Sequence, residues 1–255
     1  MQERIEFTRE MKRDYTILMP NMLPVHLRLV REVFKLHGYN MVLLDNEGPG
    51  VVEAGLKYVH NDTCYPAILV IGQLMDAINS GKYDIDKLAL VQFQTGGGCR
   101  ASNYIPLLRK ALKKAGFSQV PVISLSFTGL ESHPGFKLTL PILHKLLYAV
   151  LYGDLLMLLK NQCLPYEKVK GDTEKMCQKW TTRLATELVN ERVSYKKIKN
   201  NYGKIVRDFA TIKRNKEKRL RVGIVGEIYV KYSPLGNNNL EQFLISEGAE
   251  PVVPG

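Results

Sequence analysis

The sequence predicts an α/β fold, and three observations carry the prediction. Over residues 15–125, short apolar runs alternate with stretches whose apolar residues recur at helical spacing, the pattern of a parallel sheet with crossover helices. Beyond about Pro134 the alternation gives way to three long helical stretches. After the charged segment 213–219 a new strand begins at Leu220. With 255 residues, 45% hydrophobic and 24% charged, the chain can bury a sizeable core in one large or two modest domains. That balance excludes disorder and collagen-like repeats, and no period of about 20 to 50 residues recurs.

Residues 15–19 are a short β-type run ended by Pro20. Residues 22–37 place Leu27, Val30, Val33 and Phe34 on one helical face and stop at Gly38. Residues 41–44 form a second apolar run, and 56–59 read as a weak third strand. Asn61-Asp-Thr-Cys64-Tyr-Pro66 follows. Pro66 suits the first turn of a helix running through Ile68, Ile71, Met75 and Ile78 to Gly81. Residues 88–93 are a buried-type strand leading into Gln94-Thr-Gly-Gly-Gly-Cys-Arg100. A helix is expected over 102–115, stopped by Gly116, and another strand over 120–125.

Residues 1–134 therefore read as a Rossmann-like parallel-sheet domain that carries the cysteine motifs. Residues 135–219 read as a helical connecting segment, with helices over 138–159, 173–191 and about 195–213. Residues 220–255 read as the start of a second α/β domain, with a strand over 220–225 and a helix over 240–245 capped by Asn239. A last strand opens at Glu250. One strand and one helix cannot bury a sheet, so the chain is a fragment or its last unit packs on the earlier core.

The longest apolar helical stretch is interrupted by His144, Lys145 and Asp154, whereas a membrane span needs about 20 largely apolar residues, so none is expected. Residues 1–15 are charged and lack the apolar core of a signal peptide, which points to the cytoplasm. The net charge of +11 raises nucleic acid as a partner. Between Lys196 and Arg221, eleven Lys or Arg residues face only Asp208 and Glu217, so nine of those charges sit in one stretch. Tyr195, Tyr202 and Phe209 recur there at sevens, as on a packed helical face. A solvated helix and linker is favoured, and no nucleic-acid partner is expected.

Cys64, Cys99, Cys163 and Cys177 are too few for a disulfide scaffold of this length, and no C-x-x-C motif occurs. Gly96, Gly97 and Gly98, after a strand and before a helix, let the backbone approach a ligand. Their N–H groups and the helix N-terminus suit an anion, whether phosphate or cluster sulfur. A tight turn that needs glycine only for packing is the plain alternative, and no Walker or dinucleotide spacing is present.

Cys99 sits at the carboxyl end of a predicted parallel strand, where α/β sheets bind ligands, and Arg100 beside it favours the thiolate. Cys64 reads in the same strand–Cys–helix context, so the two can converge at one sheet edge; the plain alternative is that each is a small buried residue. Cys163 and Cys177 read as packing. None of the five histidines forms an H-x-x-x-H pair; His60, near Cys64, is favoured as a surface or core residue over one that polarises the site. Asp62 and Asp84 flank the presumed ligand edge with no acid or base role assigned. No G-x-S-x-G elbow occurs, and no catalytic residue is named.

Gly55-Leu-Lys-Tyr-Val-His-Asn-Asp-Thr-Cys64-Tyr-Pro66, Gly72-Gln73, Ser80-Gly-Lys-Tyr-Asp84 and Gln94-Thr-Gly-Gly-Gly-Cys-Arg-Ala-Ser-Asn-Tyr104 follow one another. Pro121-Val-Ile-Ser124, Gly135-Phe136, Tyr152-Gly-Asp154 and Val222-Gly-Ile-Val-Gly-Glu227 with Asn237-Asn238 come after. In these motifs the chain resembles the dehydratase-like region of acyl-CoA dehydratase activase-related proteins (CoA-substrate-specific enzyme activases). More distantly it resembles the iron–sulfur subunits of 2-hydroxyacyl-CoA dehydratases. The resemblance runs from about Phe7 to the end and is strongest around Cys64 and Cys99.

That resemblance implies a 4Fe-4S or double-cubane cluster held by cysteines of separate α/β domains, with Cys64 and Cys99 as the first domain's ligands. Gly96, Gly97, Gly98 and Arg100 are then cofactor-binding, the glycine N–H groups donating to cluster sulfurs. It further implies low-potential electron transfer for acyl-CoA reduction or dehydration. The implied partners are an ATP-dependent activator and an acyl-CoA-type substrate, and a homodimer is compatible. In the relatives a further cysteine comes from the second α/β domain, and the chain ends before that motif. A cluster is expected only with the missing C-terminal ligand, and the fragment alone is expected to be inactive. Leu164-Pro-Tyr-Glu167 stands where the family often has Arg before Pro-Tyr-Glu, so an anion contact is lost there. The activator's own Gly-rich phosphate loops are absent, so the chain resembles the electron-accepting partner. The alternative is a non-catalytic α/β module that binds a CoA-type ligand or docks an ATP-dependent activator.

Overall fold

Four of the five apolar runs read over residues 15–125 become strands, and all four run parallel. The structure, a computed structural model, describes residues 4–94, 100–126 and 131–254, with only the backbone of Arg100 and Ala101. In chain order it begins with α1 (Met11–Asp14), β1 (Thr16–Met19), α2 (Pro24–Leu36), β2 (Asn40–Leu43), α3 (Pro49–Tyr58) and α4 (Tyr65–Asn79). Then come β3 (Leu88–Phe93), α5 (Tyr104–Lys114), β4 (Val122–Leu125), α6 (Leu140–Cys163), α7 (Asp172–Asn190) and α8 (Tyr195–Ala210). The chain closes with β5 (Arg221–Gly223), α9 (Ile228–Tyr232), α10 (Pro234–Asn237), α11 (Leu240–Ser246) and β6 (Glu250–Val252). Two compact units result, Met1–Asn21 with His37–Leu138, and Met22–Leu36 with Thr139–Gly255.

The first unit is built on a sheet of order β2-β1-β3-β4, an open parallel α/β sheet of the Rossmann-like kind. Its strands read as unbroken apolar runs because parallel strands are covered on both faces. Leu18, Leu90 and Val122 of the strands meet Ile71, Leu74 and Ile78 of α4 and Ile105, Leu108 and Leu112 of α5 in one core. Gln73, buried in α4, pins the loops that leave the sheet. Its Oε1 accepts from Asn21 N–H (2.9 Å), its Nε2 donates to Asn46 O (3.1 Å), and Asn46 Nδ2 donates to Gln73 O (3.0 Å).

Residues 56–59 are not a strand. Pro49 opens a helix there, after Gly48 at φ +93, and this helix, α3, packs along α4. Gly55 lies against the backbone and side chain of Ile68, and Gly72 against the carbonyl of Val51. A Cβ on either glycine would fall far inside van der Waals contact. That close approach, made between two helices, outweighs the β-type side chain of Tyr58, while Val59 caps the helix in an extended conformation.

In the second unit α2 packs on α6 and α7, burying Leu27, Leu29, Val30, Val33 and Phe34, and α6 also meets α8. Gly153 of α6 leaves room for the His26 ring, whose Nε2 lies 2.9 Å from Asp154 Oδ1. The short parallel pair β5–β6 joins the same unit. Ile224 and Val253 pack on Met157 of α6, so the C-terminal segment rests on the helices that precede it. Asn239 precedes α11 in the left-handed region (φ 56, ψ 40) and makes no side-chain cap; Asn237 Oδ1 accepts from Leu240 N–H instead (3.1 Å). Residues 140–166 are, among the described residues, the one helical stretch long and apolar enough to cross a membrane by length and composition. Of its most apolar window, 39% is buried.

Candidate functional site

An open parallel sheet binds ligands beyond the carboxyl ends of its strands, where the strand order reverses. Here the reversal falls between β1 and β3, so the crevice lies beyond the carboxyl ends of those two strands. Gln94 closes both ends of this segment. Its N–H donates to Leu125 O (3.2 Å), its Nε2 donates to Ser102 O (2.8 Å), and its Oε1 accepts from the buried Ser124 Oγ (2.7 Å). Gly96, Gly97, Gly98 and Cys99, expected to bind the cofactor, lie outside the described residues, as does the side chain of Arg100.

Cys64 occupies the N-cap position of α4, and its carbonyl accepts from Ala67 N–H (2.9 Å) and Ile68 N–H (3.3 Å). Because 56–58 are helical and Val59 only caps that helix, Cys64 follows a turn between two helices; the strand–Cys–helix context expected for it does not exist. It reaches the β3–α5 region by another route. The start of α4 lies beside the start of α5, and Cys64 Sγ sits 3.6 Å from Tyr104 Oη, within hydrogen-bonding range. Tyr104 opens α5 five positions after Cys99.

Between these helix starts lies an open pocket of about 470 Å³, bordered by Thr63, Cys64, Ala67, Asn103, Leu107 and Lys110 among others. Cys64 and Asn103, at the N-cap positions of α4 and α5, and Lys110 line it, and helix N-termini and a lysine both favour an anion. Asp62 stands on its rim, paired with the exposed His60, whose Nδ1 lies 3.3 Å from Asp62 Oδ2 and accepts from Asp62 N–H (3.2 Å). Asp84 does not flank this edge. Its Oδ1 accepts from Asp86 N–H (3.1 Å) and caps the turn before Leu88, at the amino end of β3.

Cys163 and Cys177 are buried in the second unit. Burial raises both thiol pKa values, that of Cys177 to about 12, and Arg214 Nη1 lies 3.9 Å from Cys163 Sγ. Both pack as structural cysteines. Among the described residues no three His, Cys, Asp or Glu side chains gather as metal ligands. Cys64 alone is an incomplete ligand set for a cubane cluster, which commonly takes several cysteines.

Sequence reasoning missed Tyr104, Lys110 and the Gln94–Ser124 pair as site features. The α5 residues were available from spacing, since Asn103, Leu107 and Lys110 recur at four and three and share one helical face. Ser124 bonds Gln94 across neighbouring strands, which no local pattern announces. Comparison with family models, curated proteins and solved structures gave no match to the chain.

Proposed function

We propose that this chain is the iron–sulfur-cluster-binding region of a CoA-substrate-specific enzyme activase or 2-hydroxyacyl-CoA dehydratase-like protein, working in the cytoplasm. One observation carries the reading: Cys64 Sγ stands 3.6 Å from the Oη of Tyr104, which follows Cys99 by five positions in the chain, and Cys64 borders an open pocket. Cys64 and Cys99 supply two thiolates in this reading, and a further ligand completes the cluster. Such a cluster supplies low-potential electrons for acyl-CoA reduction or dehydration, received from an ATP-dependent activator. The residues of this chain position and bind. Gln94 and Ser124 fix the ends of the glycine-rich segment, Tyr104 contacts the Cys64 sulfur, and the two helix N-termini with Lys110 favour negative charge in the pocket.

Anaerobic reconstitution of the full chain with iron, sulfide and an excess of a small thiol, which can complete the ligand set, tests this. A reduced-cubane EPR signal is expected, lost in Cys64→Ser and in Cys99→Ser. Equal iron content and spectra in wild type and both variants would overturn the proposal. A second reading rests on the pocket alone: helix N-termini and Lys110 suit the phosphates of a CoA-type ligand without redox chemistry. It predicts CoA binding that survives both serine substitutions and weakens in Lys110→Ala.

A further inference from the structure

α6 buries one side through Ile142, Ala149, Tyr152 and Leu156 and leaves a row of apolar side chains on the other. Leu140 is 82% exposed, Leu147 56%, Leu151 37% and Leu158 45%. His144 is exposed as well, and Asp154 is half-buried. In order, Leu140, His144, Leu147, Leu151, Asp154 and Leu158 are spaced by four, three, four, three and four residues. That is the seam of a two-helix coiled coil, which is expected to face a partner helix. A lone exposed leucine needs no explanation, whereas a helix-long apolar row does.

The seam also reads the same in both directions. Position numbers that sum to 298 pair Leu140 with Leu158, His144 with Asp154, and Leu147 with Leu151. A two-fold axis at the level of Ala149 would bring these pairs together between two antiparallel copies, as an isologous interface requires. The only polar members, one imidazole and one carboxylate, then face each other twice. Asp154 Oδ1 already meets His26 within the chain, so in the dimer the second copy's His144 would pair with Oδ2. Neither of the two polar side chains would be buried against an apolar one, the arrangement that burial of polar groups demands.

We propose that the outward face of α6 is a homodimer interface in which two copies of the helix pack antiparallel about the level of Ala149. The occupant is a second copy because the row complements itself in both spacing and polarity. A 24-residue helix is about 36 Å long, so a single seam falls at the small end of specific interfaces. The dimer therefore dissociates on dilution.

Sedimentation velocity of the full chain over a concentration series is the first test. A monomer–dimer equilibrium is expected, weakened at least about tenfold by Leu147→Glu and by Leu151→Glu (about 1.4 kcal/mol). Thermal unfolding of these variants stays within about a degree or two of wild type, since exposed positions change stability little. Register is read by disulfide trapping. Leu140→Cys mixed with Leu158→Cys gives a covalent dimer on mild oxidation, and either variant alone gives no more than wild type. A chain that stays monomeric at every concentration sinks the proposal, as does a dimer indifferent to Leu147→Glu and Leu151→Glu, or cross-linking of the single variants. Retention of wild type, and not of Leu147→Glu, on phosphatidylcholine–phosphatidylserine vesicles would assign the face to a membrane instead.

Discussion

His133 is buried, with its Nδ1 accepting from Phe7 N–H (3.1 Å) and its Nε2 3.8 Å from Glu131 Oε2. Burial, with the charge of Arg4 and a smaller effect of Arg109, lowers its pKa to about 4, against the opposing pull of Glu131 and Glu6. The neutral ring is what the fold uses: a proton on Nδ1 would confront the Phe7 N–H. Gly135, whose N–H donates to Phe7 O (2.8 Å), depends on the same contact. The folded pKa lies below the ordinary value of 6.5, so the unfolded chain takes up the proton first as pH falls. The stability linked to His133 is therefore complete above about pH 6.5 and is lost progressively towards pH 4, for a total of about 3 kcal/mol. Asparagine can offer its carbonyl oxygen to Phe7 N–H without titrating. Urea unfolding at pH 7 and pH 4.5 should show wild type losing about 2 kcal/mol more than His133→Asn. Equal losses would mean that the ring charges without disturbing the contact.

At the level of elements, the α3–α4 crossing depends on glycine at two positions where the backbone of the other helix occupies the Cβ site. Gly72→Ala would drive a methyl into Val51 O, and Gly55→Ala one into Ile68 O. Both oxygens belong to backbone, which cannot swing aside, so each substitution is expected to destabilise by about 3 kcal/mol or more. Gly203, mid-way along α8 with nothing near its Cβ site, is the control. Gly203→Ala should stabilise by about 0.5 to 1 kcal/mol, because alanine is the better helix residue. Differential scanning calorimetry of the three variants decides whether space or propensity governs. The same crossing explains what could be read in the sequence. β1 to β4, α4 and α5 follow from apolar runs and helical spacing, signals carried within each segment. α3 misleads because Tyr58, and Val59 just beyond its end, favour strands locally, while the glycine spacing that makes it a helix matters only once α4 lies alongside. Cys64 was found as a candidate and its setting was not, since that setting rests on the identity of α3. Its neighbour Tyr104 is distant in the chain and belongs to another helix start.

Across the whole molecule the chain passes between its two units three times, at 21/22, 36/37 and 138/139. The helix between β1 and β2 therefore belongs to the unit built mainly from residues 139 onward. A division at about Pro134, natural from composition, leaves α2 with the sheet, because the helix lies in sequence between two of its strands. What decides its place is the match of its apolar face to α6 and α7, and the His26–Asp154 contact, all made more than a hundred residues away. Residues 1–138 expressed alone would keep every strand of the sheet and strip the cover from Leu27, Leu29, Val30, Val33 and Phe34. Five large apolar side chains at about 1.5 to 3 kcal/mol each make a penalty comparable to the whole stability of a domain. The shortened chain is thus expected to aggregate, or to melt broadly and far below the full chain. Replacing those five residues with polar ones should restore solubility without restoring the sharp transition of the intact protein. A cooperative melt of residues 1–138 at the full-length temperature would show instead that the sheet holds together without α2 docked.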